Sequence, residues 1–166
     1  PDQIVVSNGA KQSIANVFQA IINEGDEVVV FSPFWVSYSA LIELAGGIPV
    51  YIKGVIADNF KATAAQLSAA VTDKTKAIIF SSPCNPTGAM ISEENMKSLA
   101  EICRKNDILL ISDEIYHEYI YDENKHYSLF NIENWKEIGV VVNGFSKTYS
   151  MTGFRLGYVI GDKKII

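Results

Sequence analysis

The sequence predicts an α/β domain of three layers, α/β/α, around a mainly parallel sheet. Three observations carry that expectation. Short apolar runs alternate along the chain with amphipathic helical patterns. The runs are apolar without a period of two, as in Val28-Val29-Val30-Phe31 and Val140-Val141-Val142, so both faces of those strands are buried. Polar residues of reactive type follow directly after several of the runs.

Each element has its own signal. Ile4-Val5-Val6 reads as the first strand. Ile14, Val17, Phe18, Ile21 and Ile22 fall at helical spacing after Gly9, and Gly25-Asp26 ends that helix. Val28 to Phe31 is a strand, and a helix is expected from about Phe34 to Ala45, closed by Gly46-Gly47. Ile48 to Ile52 is the next strand, Thr63 to Val71 a short helix, and Ala77 to Phe80 a buried strand. Ser92 is placed to cap a helix running to about Lys105, with Glu93 and Glu94 suiting the helix dipole. Ile108 to Ile111, Val140 to Asn143 and Leu156 to Ile160 complete the strands.

At 166 residues, 48% apolar and 20% charged, the chain is one globular domain by length and composition. Its net charge of −5 lacks the basic footprint that nucleic acid or an anionic membrane would require. The apolar runs are strand-sized and too short to span a bilayer. Cys84 and Cys103 form neither a close pair nor a metal spacing, which fits a cytoplasmic protein. His117 and His126 lie in a tyrosine-rich acidic segment. A metal set of His117 with Glu114 or Glu118 lacks the HExxH spacing, so both read as surface or packing residues and no metal is expected. The chain opens at Pro1 without a methionine and stops at Ile166 just after a strand, as expected of a piece of a longer polypeptide.

Ligands of open α/β sheets bind beyond the carboxyl ends of the strands. Four polar sites fall there: Gly9-Ala10-Lys11, Asn85, Asp113 and Lys147. Each has an ordinary explanation by itself. Gly9 can be a plain helix start, Asp113 a helix cap, Lys147 a surface lysine, and Trp35 a packed core aromatic. Their convergence on one edge argues for chemistry. A lysine beside apolar surroundings can lose its proton and attack a carbonyl, the first step of Schiff-base formation.

Five motifs make the expectation specific: Gly9-Ala10-Lys11-Gln12, Ser32-Pro33-Phe34-Trp35-Val36-Ser37-Tyr38, Asn85-Pro86-Thr87-Gly88, Ser112-Asp113-Glu114-Ile115-Tyr116, and Gly144 through Gly157 around Lys147. In this order, over essentially all 166 residues, the chain resembles the central part of class I aminotransferases that use pyridoxal 5′-phosphate (PLP). It is most similar to their bacterial aspartate aminotransferase branch. The resemblance implies a mixed, mostly parallel seven-stranded sheet and a homodimer with sites at the subunit interface. It makes residues 1–166 a cofactor-binding large domain without its small domain or N-terminal arm. It also implies cis peptides before Pro33 and Pro86.

Roles follow residue by residue from the resemblance. Lys147 would carry the internal aldimine and shuttle a proton between substrate and cofactor carbons. Asp113 would pair with the pyridinium nitrogen, whose proton the cofactor needs to act as an electron sink. Asn85 and Tyr116 would bind the ring oxygen, and Trp35 would stack on the ring. Gly9, Ala10, Lys11 and Arg155 would hold the phosphate, the arginine as a two-pronged donor. Many relatives have a phosphate-binding serine where this chain has Gly144, and Ser146 is the expected substitute.

One gap bears on turnover. The family clamps the substrate carboxylate with an arginine downstream, but only Arg104 and Arg155 occur here. Arg155 is committed to the phosphate, and Arg104 belongs to the exposed end of a helix. The 166 residues are therefore expected to carry the cofactor but to turn over amino acids poorly or not at all. The parent is expected to move an amino group between an amino acid, aspartate by resemblance, and a 2-oxo acid. A lyase or racemase of the same fold, and a PLP-sensing domain of a transcription regulator, remain alternatives. A dinucleotide oxidoreductase does not, since no G-x-G-x-x-G follows a strand.

Overall fold

The computed structural model describes residues 2–54 and 63–166; Pro1 and residues 55–62 lie outside the described residues. A seven-stranded sheet forms the middle layer, from β1 (Ile4–Asn8), β2 (Glu27–Ser32), β3 (Ile48–Lys53), β4 (Thr75–Ser81), β5 (Leu109–Asp113), β6 (Gly139–Gly144) and β7 (Leu156–Ile160). Their spatial order is β1-β7-β6-β5-β4-β2-β3. Pairs from β3 to β6 are parallel, whereas β7 runs antiparallel to both β6 and β1. The sheet is thus mixed and mostly parallel, as expected.

Helices cover both faces: α1 (Ala10–Ile21), α2 (Ser37–Leu44), α3 (Ala64–Ala70) and α4 (Glu93–Asn106). Strand alternation sorts the core into two layers. Val28, Val30, Ile79, Ile111 and Val142 pack against Ile14, Val17 and Phe18 of α1 and Tyr38 and Ile42 of α2. Val29, Ile78, Leu110 and Val141 pack instead against Leu67 of α3, Met96 and Cys103 of α4, and Leu129. Most of these side chains are fully buried, each stabilising the fold by roughly 1.5–3 kcal/mol.

Helix ends follow the expected chemistry with one instructive exception. Ser92 accepts the amide of Asn95 at 3.2 Å, with Glu93 and Glu94 in the first turn of α4 and Arg104 and Lys105 in its last. Thr63 and Gln66 close a reciprocal cap on α3. By contrast, α1 starts without a side-chain cap and without an acidic residue in its first turn.

The sequence places the start of the second helix too early. Residues 33–36 form a turn, and α2 begins at Ser37. Aromatic packing holds that turn: the Phe34 ring stacks on Tyr51 of β3 at 5.4 Å, and Trp35 meets Tyr38 edge-on at 5.6 Å. Peptides before Pro33 and Pro86 are cis as expected, and so is the one before Pro83. Short 3₁₀ turns at Leu129–Asn131, Trp135–Glu137 and Thr152–Phe154 carry too few residues to show a period in the sequence.

Candidate functional site

The carboxyl ends of β2, β4, β5 and β6 lie side by side, and β7 begins at the same edge because Leu156 pairs with Asn8 at the end of β1. A cavity of about 340 Å³ opens there. Its walls include Ala10 and Lys11 from the start of α1, Trp35, Asn85, Asp113 and Tyr116, Ser146 and Lys147, and Arg155. Nine of the ten expected site residues therefore share one space. The tenth, Gly9, stands just behind it.

Gly9 has a positive φ of 80°, and a side chain there would collide with the guanidinium of Arg155. A side chain on Gly157 would likewise overlap the Gly9–Ala10 backbone. Two glycines thus let β7 and its arginine close onto the first turn of α1. The guanidinium donates to the carbonyls of Thr152 at 3.0 Å and Asn8 at 3.4 Å, which fixes it beside the helix start. The amides of Ala10 and Lys11 have no acceptor among the described residues. Open amides, a helix dipole and a fixed guanidinium form a cradle for an anion.

Charge in the cavity opposes that of the chain. Among the described residues Lys11, Lys147 and Arg155 share the cavity wall with one carboxylate, Asp113, within a protein of net charge −5. The Lys147 Nζ makes no hydrogen bond or ion pair among the described residues and lies 5.5 Å from the centre of the Tyr116 ring. Its backbone is anchored where Tyr119 Oη donates to the Lys147 carbonyl at 2.9 Å. The Lys11 Nζ sits 5.0 Å over the Trp35 ring, so this lysine reaches towards the expected stacking residue as well as the helix start.

Asp113 is buried at the end of β5. Its Oδ1 accepts the amide of Ile115 at 3.2 Å, which is the capping turn that an ordinary reading gives it. Its Oδ2 accepts the Tyr38 hydroxyl at 2.6 Å. Burial pushes its carboxyl up to about 6, although both hydrogen bonds act in the opposite direction; the neighbouring Glu114 charge adds to the rise. Sequence reasoning missed Tyr38. The available signal was its place three residues beyond Trp35, in the same aromatic motif.

Gly144 has a reason of its own. A side chain there would press on the Leu156 carbonyl, Gly157 and Ile115, so a serine does not fit this strand pair without a shift. Ser146 lines the cavity instead. Arg104 lies on the last turn of α4 and donates to the Glu133 carbonyl at 2.9 Å, and it is absent from the cavity walls. The histidines are a packing residue and a partly exposed one, within the expected range. His126 is largely buried and bonds Glu114 at 2.9 Å, while His117 meets Asn143 and Glu118. Among the described residues no three His, Cys, Asp or Glu side chains converge to hold a metal, and no helix is long and apolar enough to cross a membrane.

The family model described as "Aminotransferase class I and II" matches residues 1–166. An aspartate aminotransferase of Bacillus subtilis is 47% identical across the whole chain, which covers 42% of that protein. Among solved structures, aspartate aminotransferase from Thermus thermophilus with maleate superposes with a TM-score of 0.95 at 39% identity. The match covers 99% of this chain and 42% of that one. The aromatic aminotransferase from Pyrococcus horikoshii gives a TM-score of 0.95 at 40% identity, over 98% of this chain and 44% of that one. The chain spans less than half the length of these relatives.

Proposed function

The chain belongs to the class I and II aminotransferases, and from that premise we propose that its parent enzyme exchanges an amino group between an amino acid and a 2-oxo acid. The cofactor of the family is PLP, and the cavity fits it. The uncapped, acid-free start of α1 with Arg155 suits the phosphate dianion, and the buried Asp113 suits a ring nitrogen. Aspartate is the amino acid we propose, on the strength of the aspartate aminotransferases among the relatives.

When bound, PLP supplies an aldehyde for amines and a protonated ring that takes up the electron pair released as a substrate C–H bond breaks. The chain's residues hold and time that chemistry. The Lys147 Nζ would be the nucleophile that holds the cofactor and the base that lifts and returns the proton. Asp113 would hold the positive charge of the ring. The Asn85 amide and Tyr116 hydroxyl would donate to the ring oxygen, and Trp35 would pack on the ring. Ala10, Lys11, Ser146 and Arg155 would hold the phosphate, with Gly9 making room for the guanidinium.

Residues 1–166 form, in this reading, the cofactor-binding part of a cytoplasmic homodimer. Support for the dimer comes from Val36 and Phe154, next in sequence to Trp35 and Arg155 and 80% and 74% exposed, apolar surface that a second subunit would cover. Both cysteines are free, as a reducing compartment allows. Since Arg104 is engaged elsewhere, the arginine for the substrate carboxylate must come from outside these residues. The isolated stretch should then take up PLP without transaminating.

The observation that carries the proposal is the placing of Lys147 and Asp113 on one cavity. Adding PLP to the full-length protein should produce a pH-sensitive absorbance band, and Lys147→Ala should abolish it. An unchanged spectrum in that variant would put the reactive amine elsewhere.

A further inference from the structure

Resting on the reading above, we propose that Tyr38 is a positioning residue that aims Asp113 at the cofactor's ring nitrogen and holds it in its ionised form. Tyr38 is 1% exposed, and its hydroxyl donates to Asp113 Oδ2 at 2.6 Å, with the Ser81 hydroxyl as a second neighbour of the phenol oxygen. That distance is typical of a hydroxyl donating to an ionised oxygen. The opposite carboxylate oxygen is tied to the Ile115 amide. Two donors on two oxygens fix the carboxylate plane against the cavity wall that both residues line.

The ring of Tyr38 makes this more than a local cap. It meets Trp35 edge-on at 5.6 Å and an interplanar angle of 89°, and it lies 6.4 Å from the Phe34 ring. One side chain therefore joins the aromatic expected on the cofactor's face to the carboxylate expected at its nitrogen. A shift of α2 would move both contacts together.

Electrostatics gives the bond a task. Burial opposes charge on Asp113, and the Tyr38 hydroxyl is the first of the interactions that favour its ionised form. Burial, then the Asp113 charge, raises the Tyr38 phenol well above its usual range, so it stays a donor wherever the enzyme works. The other groups near the pair are Glu114 just past the strand, the Ser81 hydroxyl and Cys84 thiol beside Tyr38, and Lys11, Lys147 and Arg155 across the cavity. The three cations make no hydrogen bond to Asp113 and are set to engage the phosphate and the aldehyde. Tyr38 is left as the dedicated side-chain donor.

The test uses full-length protein, with PLP affinity measured by absorbance titration from pH 5 to 9 for wild type, Tyr38→Phe, Asp113→Asn and the double variant. Losing a hydrogen bond to a buried charge should weaken PLP binding about 10-fold or more in Tyr38→Phe. Its binding should also require a higher pH than wild type. In the Asp113→Asn background the same change should cost almost nothing. Equal affinity and pH profile in Tyr38→Phe, or an equal loss in both backgrounds, would overturn the proposal and reduce Tyr38 to packing. Infrared detection of the protonated Asp113 carboxyl in cofactor-free protein gives a second readout, in which Tyr38→Phe must extend protonation to higher pH. If wild type takes up no PLP, the functional reading falls and takes the inference with it. If wild type binds and Tyr38→Phe matches it, only the inference falls.

Discussion

Asp113 and Glu114 are consecutive carboxylates, both 3% exposed, yet the end of β5 turns them to opposite faces of the sheet. Asp113 faces α2 and the cavity. Glu114 faces the segment around residues 126–131. There its oxygens accept from Ser112 Oγ, Ser128 Oγ and the Leu129 amide at 2.9–3.0 Å, and from His126 Nε2 at 2.9 Å. Burial pushes Glu114 up, but His126, the Leu129 amide and Ser128 outweigh it and hold the carboxyl below its ordinary value. Asp113 has two donors and stays raised, at about 6. Equal burial thus yields opposite outcomes, decided by the number of donors. Glu114 is a finished structural joint, whereas Asp113 is left short of one positive partner, which a protonated ring nitrogen would supply.

Removing each carboxylate should separate fold from function. Glu114→Ala strands four donors, two of them fully buried, and should cost about 3–5 kcal/mol, read as a lower midpoint in chemical denaturation of the full-length protein. Retention of wild-type stability would show that the 126–131 segment holds itself. Asp113→Asn should lower that midpoint far less, since its amide oxygen keeps one donor, its NH2 can donate to the Tyr38 hydroxyl oxygen, and no buried charge is left. Its effect should fall on amino transfer, with a loss on the order of 10²–10³-fold, the scale for removing one preorganised electrostatic partner. A variant with normal turnover would show that the ring nitrogen does not meet Asp113.

The sequence made one half of this comparison legible and hid the other. Asp113 was visible because it directly follows a fully apolar strand and shares a sheet edge with Asn85 and Lys147. Ser92 and its glutamates announced α4 because capping is local. Tyr38 was not visible as a partner, since its acceptor lies 75 residues away and no local pattern encodes a bond of that span. His126 escaped for the same reason: it sits among exposed residues 121–125 but folds back onto Glu114. Gly144 could be noticed only as a missing serine, because its cause is the closeness of β7, a neighbour distant in sequence.

Acid and base should pull the two residues apart further. Asp113 is raised, from 3.8 to about 6, so in cofactor-free protein its contribution favours folding below pH 4 and is lost as pH rises through 6. At 1.36 kcal/mol per unit that swing is roughly 3 kcal/mol. Glu114 is lowered, so its contribution is present above pH 4.5 and fades as the pH falls through its native value. Denaturation midpoints from pH 3 to 8 should show Asp113→Asn flattening the slope between 4 and 6, and Glu114→Gln flattening the acid limb below 4.5. Loading with PLP should remove the Asp113 slope, because a cationic partner pulls its carboxyl back down. A slope that survives both loading and Asp113→Asn would belong to another group.

The smallest change offers the sharpest control. Ser128→Ala deletes one of four donors on Glu114, just as Tyr38→Phe deletes one of two on Asp113. Ser128 also caps the 3₁₀ turn at Leu129–Asn131, so the change should lower stability by about 1 kcal/mol. The remaining three donors still hold the Glu114 carboxylate, and none of them lines the cavity. PLP affinity and its pH profile in Ser128→Ala should therefore match wild type, measured by the same titration. A matching loss of affinity would mean that the two faces of β5 are mechanically coupled, and that the Asp113 turn is held in place from behind by Glu114.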